Sequence, residues 1–365
     1  MEDLRSADWW VRDDAIRGLL QHPEERYLAF LEEALKNHEN ANLRNASMEC
    51  YVKLGVRSFS SLGRLILNED HEVRLFAANM LGDIGDRKAS PYLMGAMKDP
   101  DGNVRMAAAE ALGKIGDPEA AGVLEASLED DPWVAMAAIK ALGEIGGDGA
   151  LMVLYKCLEK EDYRGITFDA IERAGNENAI RYLTPFVDTD EMKELALRAV
   201  VNIADRRRLK LRPEYFINMV PLVLELQHSA DPEVKKAAFI ALSWAEDLRG
   251  LPFLIKALDD EELQEYALSG ILAIGERAIP EIIEALRDTG RPHRNILAKL
   301  LSMSGEYASL LRFFDDDDPE VRVEVALALG KIGSAKTAEI LSRMLDDPDE
   351  EVRTAARKIS RTAER

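Results

Sequence analysis

The chain has 365 residues, two cysteines, five histidines and a formal net charge of -20. This charge argues against a protein that binds nucleic acid or an anionic membrane surface, because both interactions need clustered Lys and Arg. No apolar run reaches the roughly 18 residues of a membrane-spanning helix. The first residues also lack the basic and apolar regions of a signal peptide, and the cysteines form no CxxC motif. We therefore expect a cytoplasmic protein with no nucleic-acid or membrane partner.

One short pattern repeats along the whole chain, and it is recognised by an apolar residue that usually precedes a basic one. If this apolar residue is position 0, the copies are anchored at Val11, Leu43, Val73, Val104, Val134, Tyr163, Met192, Val234, Leu263, His293, Val321 and Val352. Neighbouring anchors lie 28 to 32 residues apart, except for one interval of 42. A period near 30 is typical of stacked helical repeats.

Each copy predicts two antiparallel helices. Positions +3, +4, +7, +8 and +11 are mostly apolar, which is the spacing of one helical face. A second apolar stretch and an acidic turn follow. Position +12 is expected to end the first helix in a left-handed conformation, because it is glycine in eight copies: Gly55, Gly85, Gly116, Gly146, Gly175, Gly275, Gly305 and Gly333.

The acidic Asp-Pro turn, the Val-Arg pair, the paired alanines and the Leu-Gly-x-Ile-Gly-Asp ending resemble the HEAT-like repeat of the phycobilisome-lyase type. The resemblance extends from about Ser6 to Arg365. It implies an all-α fold, a right-handed α-solenoid of about 12 HEAT-like helical-hairpin repeats. The family is functionally broad, so the resemblance does not select an activity.

The position after the anchor is basic in ten of the twelve copies, and Ala135 and Gln264 are the exceptions. The basic residues are Arg12, Arg44, Arg74, Arg105, Arg164, Lys193, Lys235, Arg294, Arg322 and Arg353. They could form a basic row for an anionic ligand. The acidic turns before most of them favour a structural Asp–Arg ladder between neighbouring repeats, since arginine can bond two acceptors at once.

The long interval between Met192 and Val234 marks an irregular segment. We predict repeats 1–7 within 1–205, an insertion and the second helix of repeat 7 within 206–229, and repeats 8–12 within 230–365, in one continuous solenoid. The insertion begins with Arg206, Arg207 and Arg208. These residues form either a tolerated surface loop or a docking site for an acidic partner.

Enzymatic and metal-binding readings find little support. Only two His-Glu pairs occur, at 38–39 and 71–72, and they lie at different offsets from their anchors, so a di-iron site is not expected. The acidic run 315–318 lacks the spacing of an EF-hand loop and is interpreted as a solvated turn. We expect no catalytic residues, metal or cofactor.

One row of apolar residues interrupts the expected solvent face of the first helices. Positions -1, +2 and +6 lie opposite the buried stripe and are mostly polar elsewhere. The apolar exceptions are Leu75, Met106, Trp133 and Met136, and Lys140 borders them. A smaller group further along the chain contains Ile240 and Trp244. They form either a protein-binding patch or a surface that the array itself covers.

These observations predict a non-enzymatic scaffold or adaptor that binds a protein or peptide. The alternative is a bilin-lyase-like or chaperone-like factor that acts on a cofactor-bearing protein, and it depends on the repeat resemblance alone. The first repeat opens with Trp9 and Trp10, which are expected to pack against its first helix.

Overall fold

A computed structural model describes residues 2–21, 25–37, 39–209, 220–288 and 310–363. These parts contain α-helices, short 3-10 turns and no strand. Odd-numbered helices are the first of each repeat and are called A helices; even-numbered helices are called B helices. The A helices are α1 (Trp9–Gln21), α3 (Ala41–Leu54), α5 (His71–Ile84), α7 (Gly102–Ile115), α9 (Pro132–Ile145), α11 (Arg164–Ala174), α13 (Lys193–Arg206), α15 (Pro232–Ala245), α17 (Gln264–Ile274), α19 (Pro319–Ile332) and α21 (Glu350–Ala363).

The B helices are shorter in most repeats and run back beside the A helices. They are α2 (Glu25–Leu35), α4 (Phe59–Leu65), α6 (Ser90–Ala96), α8 (Ala121–Ala126), α10 (Gly147–Cys157), α12 (Glu177–Leu183), α14 (Val220–Leu226), α16 (Leu251–Ala257), α18 (Ile279–Asp288) and α20 (Ala335–Met344). The anchor His293, Arg294 and Gly305 lie outside the described residues.

The acidic turns begin the A helices. Asp101 accepts hydrogen bonds from the backbone N–H groups of Asn103 and Val104, at 2.8 and 3.2 Å. Asp70, Asp131, Asp231 and Asp318 cap their helices in the same way. Such caps satisfy N–H groups that have no partner inside the helix. The acidic run 315–318 serves this purpose, because Asp318 bonds to the N–H of Glu320 at 2.9 Å.

The predicted stripe of apolar side chains forms the core. In α7 the stripe positions are all buried, from Val104 at the anchor to Ile115 at +11. Both cysteines are buried and free. Burial raises the pKa of the Cys50 thiol to about 12, so it remains neutral at physiological pH.

Neighbouring A helices approach closely because glycine and alanine face each other. A Cβ atom added to Gly113 would lie 2.8 Å from the Cα of Ala141, and one added to Gly143 would lie 2.8 Å from the Cα of Ala170. Gly82 meets Ala111 in the same way. Position +9 of one repeat therefore packs against +7 of the next.

Gly85, Gly116 and Gly333 end their helices in the left-handed conformation, as predicted. Gly55, Gly146 and Gly275 have a positive φ of 58° to 68°, but their ψ of -133° to -163° is not that of the left-handed conformation. The prediction is wrong for Gly175, which is extended with a φ of -60°. Conversely, Glu246 occupies position +12 of repeat eight with a φ of 52°.

Trp9 and Trp10 also differ from expectation. They pack edge to face with ring centroids 4.6 Å apart, but they remain 54% and 68% exposed. The prediction that they are covered by the first helix is therefore wrong.

The chain divides into two compact units, Met1–Pro185 and Phe186–Arg365. The division precedes the irregular segment after Asp205. The arrangement of the repeats in one continuous solenoid stays a prediction. No helix among the described residues is long and apolar enough to span a membrane.

Candidate protein-binding surface

The basic residue after the anchor joins the turns of adjacent repeats. Arg74 donates two hydrogen bonds to the Asp99 carboxylate, at 2.7 and 2.8 Å, and others to the carbonyl oxygens of Asn68 and Glu69. Arg105 contacts both oxygens of Asp130 at 2.7 Å. Arg322 repeats this arrangement with Asp347 in the second unit. At these three positions the predicted Asp–Arg ladder is confirmed.

These pairs lower the pKa of the aspartates. Hydrogen bonds from Arg105 hold the pKa of Asp130 below its usual range, and those from Arg322 do the same for Asp347. Burial works to raise the pKa of Asp99, but the bonds from Arg74 and the Asp101 backbone outweigh it. These arginines are already bound inside the protein, so they do not form a basic row for an external anion.

Repeat five lacks the arginine, and a lysine from the following turn replaces it. Ala135 occupies the arginine position, while Lys160 stands where the next aspartate is expected. The Lys160 ammonium donates to the carbonyl oxygen of Leu128 at 3.0 Å and to the Glu129 carboxylate at 2.6 Å. The cation therefore reaches this turn from the opposite side.

The A helices of the first unit are in register, so equivalent positions lie side by side. At position +10, Lys114 pairs with Asp83 at 2.7 Å and Arg173 pairs with Glu144 at 3.1 Å. The same register makes position +2 a continuous row across α5, α7 and α9.

We call the residues Leu75, Met106, Trp133, Met136 and Lys140 the Trp133 patch. Trp133 is 69% exposed at the start of α9. Leu75, Met106 and Met136 are half-buried, and Lys140 is exposed. Partial exposure of all three apolar side chains at +2 means that neighbouring repeats do not cover them completely.

A depression adjoins this patch between α9 and α11. It is lined by Lys140, Ile166, Asp169, Ala170 and Arg173. Gly165 follows Met136 in the +2 row and has no side chain to fill the adjacent space. The sequence analysis did not predict this depression. The one feature of the sequence that could have indicated it is the glycine at position +2 of α11, where the preceding repeat has methionine.

The second group of candidates requires a correction. Ile240 is only 2% exposed, so it belongs to the core of the second unit and cannot be a surface contact. In α15 it is buried together with Ala237, Ala238 and Ala241 of the apolar stripe. Trp244 is half-buried and has contacts within the protein. Arg206, Arg207 and Arg208 are exposed where α13 ends, and their role in binding stays a prediction.

Sequence reasoning missed an aromatic pair on the B helices of the first unit. The rings of Tyr155 and Tyr182 stack with centroids 3.8 Å apart, and Met152 nearby in α10 is 59% exposed. Tyr92 of α6 packs over Gly63, where an added Cβ would lie 2.7 Å from its ring. The B helices are too short and irregular for their exposed positions to be deduced from periodicity.

The described residues contain no group of three or more His, Cys, Asp or Glu side chains arranged to hold a metal ion. His71 begins α5 beside Glu72, and the first of the His-Glu pairs includes His38, which lies outside the described residues.

A comparison with known protein families finds HEAT repeats in two segments of the chain. The model of HEAT repeats matches residues 60–134 and 279–359. These segments are HEAT repeats. The first match contains Leu75, Met106 and Trp133 of the Trp133 patch and ends before Met136 and Lys140. No curated protein sequence matches the chain significantly.

Three solved structures are similar to this chain. Importin beta has a TM-score of 0.51 and 16% identity, and the match covers 98% of this chain and 57% of importin beta. An engineered protein has a TM-score of 0.45 and 21% identity, over 93% of this chain and 99% of the other. The complex of CpcE and CpcF of phycocyanin lyase from Nostoc sp. PCC7120 has a TM-score of 0.36 and 20% identity, over 66% and 93%. The importin beta match and the HEAT repeats confirm an all-α solenoid fold.

Proposed function

We propose that this chain is a non-enzymatic scaffold or adaptor that binds another protein or peptide on the A helices of its first unit. The observation that carries the proposal is the 69% exposure of Trp133 at the head of an apolar row. A HEAT fold is compatible with this function.

The physical argument depends on the type of side chain. Tryptophan is the residue most often found at the energetic centre of interfaces, and burying its exposed ring releases ordered water. Met106 and Met136 add flexible apolar surface that can adapt to the shape of a partner. A large ring exposed to water adds nothing to the stability of the fold, whereas its apolar area contributes to binding when a partner covers it.

We further propose that nucleic acid and membranes are not partners and that the protein works in the cytoplasm. The net charge of -20 opposes both polyanions. The two free, buried cysteines are consistent with a reducing compartment.

The proposal can be tested by comparative affinity capture from the native host. Wild-type protein is compared with Trp133→Ala and with Met106→Glu/Met136→Glu. Trp10→Ala is the matched control, because Trp10 is equally exposed, at 68%, but lies in α1. We expect a shared partner to be lost from both patch variants and retained by the control.

Two outcomes contradict the proposal. Equal capture by all folded variants would mean that the Trp133 patch is not an interface. Unfolding of the double methionine variant, with capture intact in Trp133→Ala, would assign the methionines to the core. A visible absorbance band in the captured complex would favour the alternative function on a cofactor-bearing protein.

A further inference from the structure

Exposed carboxylates surround the Trp133 patch. Glu110 lies one helical turn after Met106 in α7, and Asp131 caps α9 directly beside Trp133, accepting from its backbone N–H at 2.9 Å. In the next repeat, Asp162 occupies position -1 in the turn before α11 and Asp169 occupies position +6 in α11, the positions that Trp133 and Lys140 hold in repeat five. All four carboxylates are exposed.

The only exposed cation among the patch residues is Lys140. The neighbouring Arg173 is paired with Glu144 at 3.1 Å, so its charge is already balanced. Even when Asp169, which interacts within the protein, is left out of the count, three exposed carboxylates stand against one ammonium group, so the potential at the border of the patch is negative. The net charge of -20 on the whole chain adds to it at long range.

We infer that the partner segment is basic and carries an apolar side chain between Lys or Arg residues. This inference rests on the proposed function and names the chemistry of the partner. The apolar side chain contacts Met106 and Met136, while flanking cations pair with Glu110, Asp131, Asp162 and Asp169. A basic side chain can also stack on the open face of Trp133, because a cation is attracted to the negative face of an indole.

An acidic segment fits the same surface poorly. It could pair with Lys140, but it would bring its carboxylates close to the four of the protein, and like charges at an interface weaken binding. A neutral apolar segment would partly desolvate those carboxylates and would bring no cation to them. The negative charge at the border of the patch therefore favours basic segments over acidic or neutral ones that have the same apolar side chain.

Three synthetic peptide probes test the inference on the full chain by isothermal titration calorimetry. The first alternates lysine with leucine and serine, the second has glutamate at every lysine, and the third has serine at every leucine. We expect the lysine–leucine peptide to bind at least about tenfold more tightly than the glutamate peptide and to weaken as salt is raised. It should also bind more tightly than the lysine–serine peptide.

Variants locate the binding. Trp133→Ala should weaken the lysine–leucine peptide about fivefold or more, and Trp10→Ala should leave it unchanged. Glu110→Lys should also weaken it. Its matched control is Glu119→Lys, which makes the same charge change at an exposed residue in the turn before α8. Circular dichroism checks that each variant is folded.

The inference is overturned if the glutamate peptide binds as tightly as the lysine–leucine peptide. It is also overturned if no peptide binds, or if Trp133→Ala and Trp10→Ala bind alike. Should partner capture still depend on Trp133 in those cases, the proposed function stands and only the chemistry of the partner is wrong. If partner capture does not depend on Trp133 either, both the proposed function and the inferred chemistry of the partner are wrong.

Discussion

At the scale of single residues, the buried ion pairs of the Asp–Arg ladder differ from the exposed ion pairs between neighbouring repeats in how much they stabilise the fold. The carboxylate of Asp99 and the guanidinium of Arg74 are largely buried, with side-chain exposures of 7% and 12%. Asp83 and Lys114 form a pair of similar length, but their side chains are 49% and 53% exposed. Water screens the second pair and not the first.

Asp99→Ala should therefore destabilise the protein by roughly 2–4 kcal/mol, because it leaves the arginine buried without its partner. Asp83→Ala is the control and should cost less than about 1 kcal/mol. Urea denaturation measures both. Equal losses would contradict the distinction between buried and exposed pairs.

The ladder should also respond to pH. Folding lowers the pKa of Asp130, through the hydrogen bond from Arg105, below the unfolded value of about 3.9. Such a group stabilises the fold at pH values above its unfolded pKa, and that contribution is lost as the pH falls through the folded pKa.

The difference in melting temperature between wild type and Asp130→Asn is expected to be constant near neutral pH and to shrink below roughly pH 4. Thermal melting curves of both proteins, recorded from neutral pH to below about pH 4, measure this difference. A difference that grows in acid would show that the aspartate is not stabilised in its charged form.

Residue periodicity predicted the ladder because its geometry depends on two positions that recur in most repeats. It did not predict the ion pair of Lys160 with Glu129, because there the cation and the carboxylate do not occupy the two positions of the ladder. Ile240 was misplaced for a related reason. Position +6 is exposed in α7, α9 and α11, whereas it is buried in α15, and the periodicity of one repeat does not show this difference.

At the scale of helices, contact between glycine and alanine sets how closely the repeats stack. Position +9 of α9 faces Ala170 of α11, and no side chain fits between the two backbones. The sequence indicates this packing through its paired alanines and the Leu-Gly motif. It could not indicate which glycine is in contact and which is open.

Gly143→Ala should destabilise the protein by about 1–3 kcal/mol, because the new Cβ would lie 2.8 Å from the Cα of Ala170 and the helices would have to move apart. Gly122→Ala is the control. No atom lies within 4 Å of a Cβ there, and alanine favours the helix by about 0.5–1 kcal/mol.

The two substitutions are thus expected to change the free energy of unfolding in opposite directions. Chemical denaturation of both variants provides the comparison. A stabilised Gly143→Ala variant would mean that the A helices are not held at the observed distance.

At the scale of the whole molecule, the repeat pattern predicted the all-α fold and the helices because each repeat obeys the same packing rule. It also selected Trp133, Met106 and Met136, whose apolar character departs from the polar consensus of their positions. The adjoining depression and the B-helix pair of Tyr155 and Tyr182 could not be predicted. They depend on contacts between helices, and no single repeat encodes them.

The most direct test of the central claim is hydroxyl-radical footprinting of the chain with and without its captured partner, because radicals oxidise exposed tryptophan and methionine. The chain contains its own controls in Trp10 and in Met152 of α10, which are 68% and 59% exposed. Binding to the Trp133 patch predicts that oxidation of Trp133, Met106 and Met136 falls while that of Trp10 and Met152 stays constant. Protection of Met152 or Trp10 with Trp133 still oxidised would contradict the account and place the interface elsewhere.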